Sequence, residues 1–177
     1  MQLDQVDLLV EQWGRQRPDL DASGLAVVSR ILMLYKRLEQ SADRALAPFG
    51  LTLWQFDVLA ALGRSGPPFS LSPTQLMHLV TLSSGAMTNR LDRLEELGFV
   101  KRMPAPCDRR GVLIALTPQG QALVDQALPA RLSDARALLG TFSEEEREAL
   151  SGLLRRLLLS AAPVDNGAGT RRLRAGT

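Results

Sequence analysis

Apolar residues recur every three or four positions along most of this chain, in blocks separated by proline and glycine, the pattern of amphipathic helices. The first block spans residues 3–16 and stops before Pro18. Asp21-Ala-Ser23 is the predicted cap of a long second helix whose Leu25, Val28, Leu32, Tyr35, Leu38, Ala42 and Leu46 share one face, closed by Pro48 and Gly50. Thr52 opens a third helix, 52–64, expected to bury Leu53, Phe56, Leu59, Ala60 and Leu62 before Gly63 and Gly66-Pro-Pro68 end it.

The middle of the chain changes character. Phe69-Ser-Leu71 has the length of a short strand, and Ser72-Pro-Thr-Gln75 is a capping box with proline at the first helical position, predicting a helix over 73–80. A break at Thr81-Leu82 and a second cap at Ser83 predict another helix over 84–97, stopped by Gly98. Two short helices joined by a tight turn form a helix-turn-helix. The period then switches to two. Phe99–Met103 and Val112–Leu116 read as strands around PAPCDRRG, a hairpin with a long turn. Thr117-Pro-Gln-Gly120 opens a helix to about 139, and Ser143-Glu-Glu-Glu146 is a capping box for a last helix to about 160. From Pro163 the chain is Gly-rich, polar and basic, and is expected to be disordered. The fold class expected is mainly α with a small β-hairpin: a winged helix-turn-helix lobe plus a helical lobe.

Composition narrows the function classes. With 45% apolar and 23% charged residues the chain reads as an ordinary globular protein, and its net charge of +2 means that any nucleic-acid surface must come from local clustering. One cysteine, Cys107, allows no intrachain disulfide framework. No apolar run reaches a membrane-spanning length, and the acidic N-terminus does not read as a signal peptide, so a cytoplasmic, nucleoid-associated protein is expected. The lone His78 offers no zinc spacing. No Gly-rich phosphate loop, nucleophile–base pair or metal cluster stands out, so neither an enzyme nor a cofactor is expected.

The local clustering is present. On the 84–97 helix, Met87, Leu91, Leu94 and Leu97 form an inward stripe, leaving Ser84, Thr88, Asn89, Asp92 and Arg93 to face elsewhere. Ser and Thr suit phosphates or the thymine methyl, Asn suits adenine, and Arg suits guanine or phosphate. In the hairpin Lys101, Arg102, Arg109 and Arg110 stand against the single acid Asp108, a charge suited to a phosphate backbone or a narrow minor groove. The expected DNA contacts are Ser83, Ser84, Thr88, Asn89, Arg93, Arg109 and Arg110. Separately, the outer helices carry more leucine than a small winged helix can bury, with Leu150, Leu153, Leu154, Leu157 and Leu158 forming a broad stripe that wants a partner.

SSGAMTNRLDRLEELGFVKR followed by DRRGVLIALTPQG resembles the MarR family of bacterial regulators, with the wing pattern at Asp108-Arg109-Arg110 and the following Leu116-Thr117-Pro118-Gln119-Gly120. The resemblance extends from about residue 3 to 160. It implies a homodimer bound to a palindromic operator in double-stranded DNA, Arg110 entering the minor groove and Asp108 steadying it. It divides the chain into dimerisation helices at 1–47 and 118–161, a DNA-binding lobe at 48–117, and a basic tail at 162–177. Trp13, Asp57, Arg90 and Arg102, with Trp-x(4)-Pro-Asp-Leu-Asp and Phe-Asp-Val-Leu, look like the urate-responsive branch of that family. In that branch Trp13 would wall a pocket, Arg102 pair with a small anionic effector and Asp57 meet a ring N–H. A structural Asp57–arginine salt bridge and a packed Trp13 are the alternative. The competing function is a redox-sensing DNA switch through Cys107, whose neighbouring positive charge would favour the thiolate; a non-specific architectural DNA binder is a further one.

Overall fold

The computed structural model of the protein describes residues 2–80, 84–105 and 108–161, the side chains of 84–86 and 108–110 excepted. Thr81, Leu82, Ser83, Cys107 and the tail expected to be disordered lie outside the described residues. The chain forms two compact units, 1–53 and 54–177.

In the first unit, α1 (Gln5–Gln16) begins at a capping box two residues later than expected. Asp4 Oδ1 accepts the N–H groups of Val6 (2.8 Å) and Asp7 (3.0 Å), and Asp7 Oδ2 accepts that of Asp4 (2.8 Å). The same two carboxylates receive Arg30 of α2 (Leu25–Leu46), at 2.9 Å from Asp4 and 2.7 Å from Asp7, which fastens the start of α1 to α2. That guanidinium, with the backbone N–H groups, holds the Asp4 carboxyl at a pKa of about 2. The expected cap of α2 is corrected. Asp21 accepts the Ser23 N–H (2.8 Å) in a local turn, and the helix starts after Gly24 with no side-chain cap. The apolar stripe of α2 is buried at Ala42 and Leu46 only; Leu25, Val28, Leu32, Tyr35 and Leu38 are exposed. A 3-10 turn (Ala47–Phe49) ends at Gly50 in the left-handed region (φ 68°), and Asp43 accepts the Leu53 N–H (2.6 Å).

The second unit is built around α3 (Leu53–Arg64), whose Phe56, Val58, Leu59, Ala61 and Leu62 are buried. Burial runs further round this helix than the expected stripe, while Leu53 and Ala60 are only partly covered. Strand β1 (Ser70–Leu71), α4 (Pro73–Val80), α5 (Ser84–Glu96), β2 (Val100–Ala105), β3 (Asp108–Leu116), α6 (Pro118–Leu138) and α7 (Glu144–Ser160) follow. The Ser72 box is formed at both ends, Ser72 N–H to Gln75 Oε1 at 2.8 Å and Gln75 N–H to Ser72 Oγ at 3.2 Å. The Ser143–Glu146 box is formed likewise.

The strands make an antiparallel sheet in the order β1-β3-β2, with Ser70 opposite Ala115 and Val100 opposite Leu116. The hairpin differs from expectation: its strands continue to Ala105 and from Asp108, so no long turn separates them. Pro104, expected in the turn, lies within β2, an edge strand where a missing N–H is tolerated. Pairing holds to Pro104 opposite Val112, and the register shifts only between Pro104 and Ala105.

The Leu-Thr-x-x-Gly pattern now has a physical account. Thr117 caps α6 by accepting the Gly120 N–H (3.1 Å) and donates to the Gly98 carbonyl (2.7 Å), tying the end of β3 to the turn that precedes β2. At Gly120 a β-carbon would lie 2.1 Å from the Phe99 carbonyl oxygen, so only glycine permits this approach. Gly98, at φ 76°, is the left-handed stop of α5. Helix α6 runs through Pro129, and α7 has no buried residue. Among the described residues no single helix is long and apolar enough to cross a membrane.

Candidate nucleic-acid interface

Helix α5 is held from one side. Met87, Leu91 and Leu94 are buried as the spacing predicts, and Leu97 just beyond the helix is half-buried. Thr88, Asn89, Asp92 and Arg93 are exposed on the remaining surface. Buried residues at 87, 91 and 94 fix the rotation of the helix, and with it which polar side chains it presents. Ser84 begins α5, though its side chain lies outside the described residues, as does all of Ser83. Arg93 pairs with Glu96 one turn on at 3.0 Å.

The hairpin follows immediately. Gly98 reverses the chain, and β2 runs back beside the last turns of α5. Lys101 points to the face opposite Arg102, as alternation along a strand requires. Asp108, Arg109 and Arg110 open β3, their side chains lying outside the described residues. Arg102 is the best-defined cation of the hairpin. Its Nη2 lies 2.5 Å from Asp92 Oδ1, its Nη1 pairs with Glu95 Oε2, and its own N–H donates to Glu95 Oε1 at 2.9 Å. The Asp92 hydrogen bond, aided by Glu95, holds the guanidinium protonated even above its ordinary range.

The other members of the expected effector set have their own settings. Trp13 is an exposed residue of α1. Arg90 lies over the Trp54 ring, 5.0 Å from its centroid, a cation–π contact. Asp57, on α3, lines a groove of about 490 Å³ between α3 and α6 with Arg64, Gln121, Asp125, Leu128 and Arg131. Burial pushes the Asp57 carboxyl up from its usual range, against the pull of Arg131, Arg64 and Arg90. Gln121 directs its Nε2 toward Asp125 (3.5 Å), and its Oε1 is buried with no hydrogen-bond partner. Asp57 and Arg90 therefore sense one another electrostatically, while Arg102 is engaged by Asp92 and Glu95. The residues missed from sequence, Arg64, Gln121 and Arg131, face this groove through the packing of α6 on α3, which no local spacing encodes.

A helix with a buried stripe and a polar outer face, preceded by a shorter helix and followed by a basic β-hairpin, defines a winged helix-turn-helix protein. A sequence profile described as MarR family matches residues 49–111. The HTH-type transcriptional regulator PecS of Dickeya dadantii is 36% identical over 153 residues, covering 86% of this chain and 92% of that protein. A mutant of MarR from Escherichia coli, solved in complex with operator DNA, superposes with a TM-score of 0.68 at 27% identity, covering 88% of this chain and 99% of that one. Bordetella bronchiseptica BpsR, whose DNA binding is regulated by 6-hydroxynicotinic acid, superposes with a TM-score of 0.68 at 28% identity, covering 76% and 94%. The chain belongs to the MarR family of DNA-binding transcriptional regulators.

Proposed function

We propose that the protein is a homodimeric repressor of a palindromic operator, released by a small anionic ligand of the urate or aromatic-acid class. The observation that carries the DNA-reading part is the exposed polar face of α5, fixed in rotation by Met87, Leu91 and Leu94 and adjoined by the basic hairpin. Ser83, Ser84, Thr88, Asn89 and Arg93 read base edges and phosphates; Arg109 and Arg110 reach the backbone or minor groove, steadied by Asp108. Dimerisation through 1–47 and 118–161 is supported by apolar side chains left exposed on one chain, among them Leu32 and Tyr35 of α2 and Leu154, Leu157 and Leu158 of α7.

The effector engages Asp57 and Arg90 of the second unit. A partly buried carboxylate can accept a ring N–H, and the nearby arginines suit an anionic group. Arg90 belongs to α5, so an effector that moves it shifts the DNA-reading face, and only a difference in affinity between the two states gives regulation. BpsR, a relative regulated by an aromatic acid, supports that chemical class.

The test is fluorescence anisotropy of the purified protein on its own upstream intergenic DNA, with and without urate. Binding in the range of about 10⁻⁸–10⁻¹¹ M that urate weakens is the expected result. Binding that neither urate nor aromatic acids disturb refutes the effector reading and leaves the regulator. With Arg90→Ala, DNA is still bound but ligand no longer releases it; normal release by this variant refutes the coupling through Arg90.

A further inference from the structure

We propose that Arg102 is a positioning residue for DNA reading: through Asp92 and Glu95 it clasps wing strand β2 to helix α5, so that helix and wing meet DNA as one rigid piece. The inference rests on the reading of α5 and the hairpin as the DNA-binding surface, and is independent of any effector.

One charge on α5 stands where DNA binding disfavours it. Asp92 lies on the exposed surface of α5, one turn beyond Thr88 and Asn89, where a free carboxylate would repel phosphate. Glu95 adds a second acid on the next turn. Two acids on a DNA-reading helix make sense if they hold a cation arriving from another element, and Arg102 arrives from β2. Its two terminal nitrogens engage two carboxylates rooted three residues apart on the helix, while its backbone N–H donates to Glu95 at 2.9 Å. A planar fork gripped at both ends, with the backbone held as well, fixes orientation in a way that a lysine ammonium cannot.

The clasp is not what holds the fold. The side chains of Arg102, Asp92 and Glu95 are 35%, 50% and 37% exposed, and ion pairs so open to water contribute little to stability. Buried Leu91, Leu94 and Val100 already join α5 to the sheet. What remains for the clasp is direction. β2 leaves it through Pro104 toward the register shift and the hairpin end from which Arg109 and Arg110 depart. At about 3.3 Å per residue, a small rotation at Arg102 becomes a displacement of ångströms at that end.

The experiment turns on a sign. Operator binding is compared for wild type, Arg102→Ala, Arg102→Lys, the double variant Asp92→Asn/Glu95→Gln, and the triple variant Asp92→Asn/Glu95→Gln/Arg102→Ala, using anisotropy and hydroxyl-radical footprinting on the upstream duplex. Simple electrostatics says that removing two acids beside DNA tightens binding. The clasp predicts the reverse. The double variant weakens specific binding about tenfold, as Arg102→Ala does, and the triple variant is no weaker, the non-additivity of a shared interaction. Protection under the wing fades while protection under α5 stays, and Arg102→Lys does not restore it. Tighter binding by the double variant overturns the proposal, because Arg102 is then a phosphate contact that the acids restrain. Uniform loss of both protections overturns it too. So does loss of cooperative thermal unfolding in either the double variant or Arg102→Ala, since the clasp is then part of the fold. Wild-type protein that fails to distinguish the duplex from shuffled DNA refutes the DNA-reading assignment itself, a separate failure.

Discussion

Helices α5 and α2 carry the same kind of apolar stripe and meet opposite fates. On α5, Met87, Leu91 and Leu94 are 1%, 2% and 0% exposed; on α2, Leu32 and Tyr35 are 66% and 63% exposed. The spacing rule is obeyed in both. The difference shows that periodicity identifies which face a helix will bury but not what will cover it. The stripe of α5 meets its complement within its own chain, whereas most of that of α2 is left uncovered by the described residues, and in the proposed dimer a second copy supplies it.

The comparison is broken most forcefully at Leu94. Leu94→Ala leaves a cavity in a fully buried site and costs about 2–5 kcal/mol, read as a lowered denaturation midpoint in urea. Leu32→Ala, the same truncation on the exposed stripe, changes single-chain stability by less than about 0.5 kcal/mol. If the stripe is a subunit contact, Leu32→Glu with Leu158→Glu instead converts a two-chain mass into a one-chain mass by light scattering at micromolar protein. An unchanged two-chain mass places the dimer contact elsewhere.

Gly120→Ala is a smaller perturbation of the winged unit. The added methyl meets the Phe99 carbonyl, and the start of α6 has to shift, costing about 1–3 kcal/mol as other overpacked sites do. Thermal unfolding reads this, and a midpoint equal to wild type would contradict the close approach of Gly120 to the Phe99 carbonyl. The first unit is held more lightly. Arg30→Ala frees Asp4 and Asp7 and speeds hydrogen exchange of α1 with little change in the core.

The smallest effects are those of pH. The folded pKa of Asp4, about 2, lies below its ordinary 3.8, so its contribution is present above 3.8 and is lost as pH falls through 2. Asp57 has the opposite sign. Its folded pKa is raised, so the folded state binds the proton more tightly and stability falls as pH rises from 3.8 through the raised value. Asp57→Asn therefore raises the unfolding midpoint slightly at neutral pH and leaves it nearly unchanged in acid. A lowered neutral midpoint contradicts that electrostatic account.

What was legible in the sequence was local. The boxes at Ser72–Gln75 and Ser143–Glu146, the Gly98 stop and the α5 stripe each depend on residues within a turn or two, and each formed as read. The cap at Asp21-Ala-Ser23 failed because Asp21 found a nearer N–H, at Ser23, outside the helix. The long hairpin turn failed because an edge strand tolerates Pro104, and edge position follows from sheet order. Of the site, the exposed polar face of α5 was visible from spacing alone. The engagement of Arg102 by Asp92 and Glu95 was not: it depends on the chain reversal at Gly98 laying β2 beside the end of α5. The α3–α6 groove around Asp57 was hidden because it depends on how α6 packs against α3, which no local spacing encodes.

The exposed face of α5 is proposed to read a specific sequence. That reading is tested most directly by comparing wild type and Asn89→Ala on the upstream duplex and on a shuffled duplex of the same composition. Wild type is predicted to prefer its own sequence by at least about a thousandfold near physiological salt, and Asn89→Ala to lose about 1–3 kcal/mol of that preference while binding shuffled DNA as before. Equal affinity of wild type for both duplexes, or an Asn89→Ala variant as selective as wild type, would contradict it.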